Sequence, residues 1–213
     1  MTKTHDVYTA IARNDSKSLS KLFDENPELV NTPYPVAFSH TATPLMHAIY
    51  LTTLPHFGLE IFDTILSYDV DVLKKTKTDL FENCIRPIDY MIYHMSYKPY
   101  TSNDAATYAK YKYMILKVLL KGKGKVHMHN LNLNVKITNL YNDCVRIVNH
   151  LIYEPNTDLR HSRFVHLIDM DEVGPQKGAV IRNIRAYLKS DVESGKKEIN
   201  ILLKSLCETY SKL

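Results

Sequence analysis

One local pattern occurs three times in the first 126 residues, and it commits the chain to a fold built by repetition. Each copy has a short apolar start, a second helix-like stretch ending in bulky apolar residues, and a polar turn. The first runs from Asp6 to Asn31. In its segment VYTAIARND, Ala10 and Ile11 give a short helix a small apolar face, and Leu19, Leu22 and Phe23 follow at helical spacing before Asn26-Pro27 stops the chain. The second opens on Thr43-Pro44-Leu45-Met46-His47-Ala48-Ile49, where Thr43 is placed to cap a helix and Pro44 sits in the first turn, whose N–H needs no partner. Ile61, Phe62, Ile65 and Leu66 form its second helix, and Asp69-Val70-Asp71-Val72 turns the chain out. The third opens on Arg86-Pro87-Ile88-Asp89-Tyr90-Met91-Ile92. It ends in Ile115, Leu116, Leu119 and Leu120, with Lys121-Gly122-Lys123-Gly124 as the stop.

These segments resemble the ankyrin repeat, whose signature is T-P-L-H-x-A, a second helix ending in a Leu pair, and a turn of the form G-A-D. TPLMHAI carries the resemblance best, RPIDYMI follows it, and VYTAIAR lacks the Thr-Pro, as the first repeat of such arrays often does. The sequence departs from the family in two ways. The motif histidine is replaced by Met46 and Asp89. The family spacing of 12 residues between the two helices holds from Ala10 to Leu22, but becomes 17 from Ala48 to Ile65 and 28 from Met91 to Leu119. The extra length in the third repeat covers the tyrosine-rich stretch 93–113, YHMSYKPYTSNDAATYAKYKY, which is expected to project as an insertion.

The resemblance implies a stack of helical pairs in which each pair covers a neighbour's apolar face. It also implies that partners meet the exposed side of the first helices and the connecting turns. Carried over position by position, the partner-binding residues are His47 and Tyr50 in the second repeat and Tyr90, Tyr93 and His94 in the third. Rings with a polar tip suit an interface, although the same rings can instead cover the core.

A second reading rests on segment 97–125, where Lys110, Lys112, Lys117, Lys121, Lys123 and Lys125 follow closely on tyrosines. Ammonium groups beside aromatic rings can hold a phosphate backbone and stack bases, which makes these lysines the candidate nucleic-acid contacts. The simpler alternative is a solvated face that favours a helix C-terminus. The overall charge of +4 does not choose, because it is shared evenly between residues 1–126 and 127–213.

Residues 127–213 have no family explanation. Leu131, Leu133, Val135 and Ile137 alternate, which predicts a short strand or β-hairpin. Val145, Ile147, Val148, Leu151 and Ile152 then form a helical stripe ended by Pro155, which reads as the second helix of a further, eroded repeat or as part of a cap. Two amphipathic segments, starting near Ala179 and Lys196, are placed to cap the stack or form a separate module.

Known catalytic and cofactor motifs are missing: there is no P-loop, GxGxxG, HExxH or GxSxG. His127 and His129 fall two apart, but no third ligand is identifiable, so no metal or other cofactor is assigned. Cys84, Cys144 and Cys207 read as buried free thiols of a reducing compartment. No signal peptide and no run of about 18 uncharged apolar residues is found, so a cytoplasmic or otherwise intracellular chain without a membrane span is expected. The reading is thus a mainly α, ankyrin-like stack of helical hairpins over 1–126 with a helical C-terminal region at 127–213, and it allows one short β-hairpin. Its expected role is non-enzymatic protein binding. Nucleic-acid binding, or an enzyme site in the C-terminal third, are the alternatives. Six glycines, no Trp and fifteen Tyr fit an AT-rich genome, and hence a viral or bacterial factor that redirects a host or defence protein. The sequence leaves the oligomeric state open.

Overall fold

A computed structural model describes residues 3–36, 40–54, 57–78, 81–97, 105–122, 125–128 and 134–153. The fold they form is mainly helical, made of stacked helical hairpins with short antiparallel β-hairpins as connectors. The chain gathers into two compact units, one drawn from 1–98 with 127–133 and the other from 99–126 with 134–213.

In the first unit, α1 (Lys3–Ala12) and α2 (Ser16–Glu25) form the first hairpin. The joint between them is only Arg13–Asp15. The N–H of Asn14 donates to Ile11 O at 3.1 Å and that of Asp15 to Ala10 O at 2.9 Å, so the last carbonyls of α1 are satisfied by a Schellman turn. Asn14 takes the left-handed conformation this turn requires, with φ of 55°. Asp15 then caps α2, its carboxylate accepting from Ser18 N at 3.0 Å and Ser18 Oγ at 2.6 Å. These bonds hold its carboxyl below the usual range. Pro27 stops α2 and opens a short 3₁₀ turn, Pro27–Asn31.

The second hairpin pairs α3 (Pro44–Thr52) with α4 (Glu60–Ser67). Thr43 caps α3 as its position predicts, accepting from Met46 N at 3.3 Å with Pro44 in the first turn. The third begins with α5 (Pro87–Tyr97), where the fully buried Asp89 accepts from Arg86 N at 3.2 Å. The first helices make one layer, α3 packing on both α1 and α5, while α2 and α4 pack together behind them. Each pair buries apolar residues only a neighbour can cover: Val7 and Ile11, Leu19 and Phe23, Leu45 and Ile49, Ile61 and Ile65, Ile88 and Met91.

Polar ties fix the register of successive hairpins. The Asn31 side chain donates to Asp69 O at 2.9 Å and accepts from Asp71 N at 2.7 Å, and Lys74 Nζ reaches Asn31 O at 2.8 Å. The turn over 69–72 that the sequence predicts is thereby pinned to the end of the first repeat. Val70 and Val72 point inward while Asp69 and Asp71 stay exposed. Tyr68 Oη lies 3.1 Å from Ser20 O and 2.9 Å from Asp24 Oδ1, joining the end of α4 to α2.

Two antiparallel hairpins connect the helical pairs, and sequence reading found neither. Strands β1 (Tyr34–Val36) and β2 (His40–Ala42) pair Tyr34 with Ala42, and β3 (Thr76–Thr78) and β4 (Phe81–Ile85) pair Thr76 with Ile85. β2 lies against β3.

The second unit pairs α6 (Ala105–Lys121) with α7 (Val135–Tyr153). The extended reading of 131–137 is corrected here: Val135 and Ile137 lie on α7, while 131–133 fall outside the described residues. Asn134 explains the difference, since its side chain accepts from Lys136 N at 2.9 Å and starts a helix. Ile137, Leu140, Tyr141, Cys144, Ile147 and Val148 then form one buried helical stripe, leaving Val135 71% exposed. The tyrosine-rich stretch is also largely helical, with 93–97 finishing α5 and 105–113 beginning α6. Cys144 is buried but Cys84, read as buried, is exposed. The amphipathic segments after residue 178, with Cys207, lie outside the described residues. No helix among the described residues is long and apolar enough to cross a membrane.

Candidate functional site

Because α1, α3 and α5 lie side by side, the aromatic residues they carry form two ring clusters. In the first, Tyr8 stacks between His5, at 6.2 Å and 22°, and His47, at 5.0 Å and 17°. Tyr34 of β1 meets both Tyr8 and His47 edge-on, and its hydroxyl lies 3.0 Å from His47 Nδ1. Burial disfavours charge on either partner. It pushes the Tyr34 phenol well above its ordinary range and lowers His47 to about 4. Near neutral pH, therefore, both partners are uncharged, and the His47 tautomer sets which of them donates. The bond fastens the first β-hairpin to α3.

In the second cluster His94 is the centre. Tyr50 of α3 approaches it at 5.1 Å, Tyr90 at 4.3 Å and Tyr93 at 5.4 Å, all edge-on, and Tyr97 lies 4.4 Å from Tyr93. Burial, with a smaller contribution from Tyr50, raises the Tyr90 phenol to about 12. Spacing of three or four residues puts Tyr90, Tyr93, His94 and Tyr97 within reach of one another along α5.

Of the five candidate partner residues, the fold brings Tyr50, Tyr90, Tyr93 and His94 together and sets His47 in the neighbouring cluster. They differ in access. Tyr50 is 40% exposed and Tyr93 and His94 are half-buried, whereas His47 and Tyr90 are buried. The last two support the surface from beneath. Sequence reasoning missed His5, Tyr8, Tyr34 and Tyr97. Tyr97, 66% exposed, was detectable as the helical neighbour of Tyr93, but nothing in the sequence ties Tyr34 to His47. Charge is sparse on this side: residues 43–54 contain no Asp, Glu, Lys or Arg, and 87–97 contain only the buried Asp89.

The candidate nucleic-acid lysines separate by burial. Lys110, Lys117 and Lys121 are half-buried on α6, Lys125 is exposed just beyond it, and Lys123 lies outside the described residues. Lys112 is only 2% exposed, so it does not meet a phosphate backbone in this structure. The inward face of α6 is the reason, since Ile115 and Leu119 on one side and Leu116 on the other flank its direction on the helix and are buried with it. Lys117 Nζ sits 5.1 Å from the Tyr113 ring centroid.

A shallow polar depression between α2 and α4 offers a weaker candidate, with Lys17 and Lys21 balanced by Asp24 and Glu25. Its exposed Lys21–Glu25 pair, at 4.0 Å, adds little. Among the described residues no three His, Cys, Asp or Glu side chains gather as a metal site would require. No family model, curated protein or solved structure matches the chain.

Proposed function

We propose that the first unit is an ankyrin-like repeat stack and that the chain works as a non-enzymatic docking protein, binding a protein partner across the first-helix side at Tyr50, Tyr93, His94 and Tyr97. The reading is carried by the gathering of these rings from two successive first helices, on a side with no exposed Asp, Glu, Lys or Arg from α3 or α5. Large rigid rings bury area at small entropic cost and keep a hydroxyl for the rim. The two-layer order of helices and the hairpins between repeats support the ankyrin-like assignment. The expanded spacings and the missing motif histidine separate the chain from a regular member of that family. A viral or bacterial origin and capture of a host or defence protein would suit the composition.

The test is affinity purification with the intact chain beside a variant carrying Tyr50→Ala, Tyr93→Ala and Tyr97→Ala, read by quantitative mass spectrometry. Circular dichroism and thermal melting check that the variant folds. A stoichiometric protein recovered with the native chain and lost with a folded variant supports the reading. Equal recovery by both removes this surface from the function.

A further inference from the structure

Strand β1 is held against the helices mainly by one side chain. Tyr34 is buried, whereas Pro35 is exposed and Val36 is half-buried. The Tyr34 ring and hydroxyl both meet His47, which is itself only 4% exposed. The other cover over His47 is Tyr8, whose helix α1 is anchored independently by the buried Val7, Ala10 and Ile11. β2 is likewise retained by its own contacts, the buried Ala42 and the neighbouring β3. A two-stranded hairpin has little stability of its own in water, so β1 is the cover that yields at least cost.

Acid acts on this contact through the charge it places on His47. Protonated, Nδ1 can only donate, and the Tyr34 oxygen can still accept, so the hydrogen bond itself survives. What changes is that a cation is enclosed among rings, and burial already holds the imidazole at about 4. Among the described residues, Tyr8 and Tyr34 face the ring directly, and His5 stacks on Tyr8. The other charged groups of α1, Lys3 and Asp6, are exposed. The 3₁₀ turn, β2, α4 and α5, which also pack on α3, carry Glu28, His40, Glu60, Asp63, Asp89 and His94. Burial is the whole cause of the shift at His47, so none of these groups compensates a cation there. The face of the Tyr8 ring offsets only part of the cost.

We propose that β1 is an acid-released cover: when His47 takes a proton, Tyr34 and β1 leave α3 and β2 while the helical hairpins stay paired. Release uncovers His47 and Tyr8 on the first-helix side.

The experiment is native-state amide exchange of the full chain, corrected for intrinsic exchange rates. If His47 regains its ordinary 6.5 on release, opening of β1 becomes up to about 30-fold more frequent at about pH 5 than at about pH 7.5. Protection of the amides bonded between β1 and β2 should fall by up to that factor. It should respond little to about 1 M urea, the mark of an opening that exposes little surface. Amides of α4 around Ile65 should stay more protected at both pH values and lose protection with urea. His47→Asn should leave the β1–β2 protection low and flat across this range. Tyr34→Phe, which keeps the ring, should keep the pH response, and so should His5→Asn. Equal protection and equal urea response in β1–β2 and α4 at about pH 5 overturns the proposal, because β1 then leaves only with the whole stack. That comparison uses the native chain and depends on no variant folding. A pH response absent from the native chain, surviving in His47→Asn, or lost in Tyr34→Phe or His5→Asn overturns it as well. None of these outcomes bears on protein docking at Tyr50 and Tyr97.

Discussion

Acid should weaken the fold through His47 in a way that a single substitution can isolate. Its ring packs against Tyr8 and Tyr34, shares a hydrogen bond of 3.0 Å with the Tyr34 hydroxyl, and is held at about 4 by burial instead of the ordinary 6.5. A proton therefore binds the unfolded chain more readily than the folded one between these two values. Stability is complete above about pH 6.5, falls as pH drops through that value, and stops falling from this source near pH 4. One pKa unit corresponds to about 1.4 kcal/mol, so lowering the pH from about 7.5 to about 5.5 should cost about 1.3 kcal/mol. With a urea slope of about 2 kcal/mol per molar, the unfolding midpoint should move down by roughly 0.6 M. The comparison is with His47→Asn, whose amide can donate or accept near the Nδ1 position but cannot titrate. It should unfold more easily at every pH, yet lose His47's share of the shift. If native chain and variant move by the same amount over this range, the burial argument is wrong.

Other outcomes follow from single residues. Asn14→Ala, forced to keep a φ of 55°, should lower stability by about 1 kcal/mol and Asn14→Gly should not, as read by thermal melting. Asn31→Ala removes both bonds to the turn at Asp69 and Asp71 and should cost about 1–3 kcal/mol, with faster amide exchange at Asp71 as its local signature. Ile65→Ala, at a fully buried position of α4, should cost about 2–5 kcal/mol in chemical denaturation.

The helical pairs were legible because their signals are local. Thr43-Pro44 marks the start of α3, Pro27 the end of α2, and Ile61, Phe62, Ile65 and Leu66 one face of α4. The β-hairpins were not legible. Strands of three residues such as Tyr34–Val36 are too short to show alternation, and their pairing is set by the helices on either side. The alternation over 131–137 suggested a strand, but at Val135 and Ile137 one Asn cap and the apolar stripe running on to Val148 favour a helix. Tyr50, Tyr90, Tyr93 and His94 could be named together because repeat positions put them on adjacent first helices. The access of the candidate residues was not legible, since burial of His47 depends on Tyr8 and Tyr34, which are distant from it in the chain. Lys112 shows the same limit: composition counted it among the cations, while helical phase turns it inward.

Asp15 gives its amide to the closing of α1 and its carboxylate to the opening of α2, so the joint contains no idle residue. A splice or tag placed between Arg13 and Ser16 would separate two duties that one amino acid performs together, and both helix ends would fray at once. Lengthening of this hairpin by insertion is accordingly barred at its narrowest point, and added chain has to enter where no single residue serves two helices.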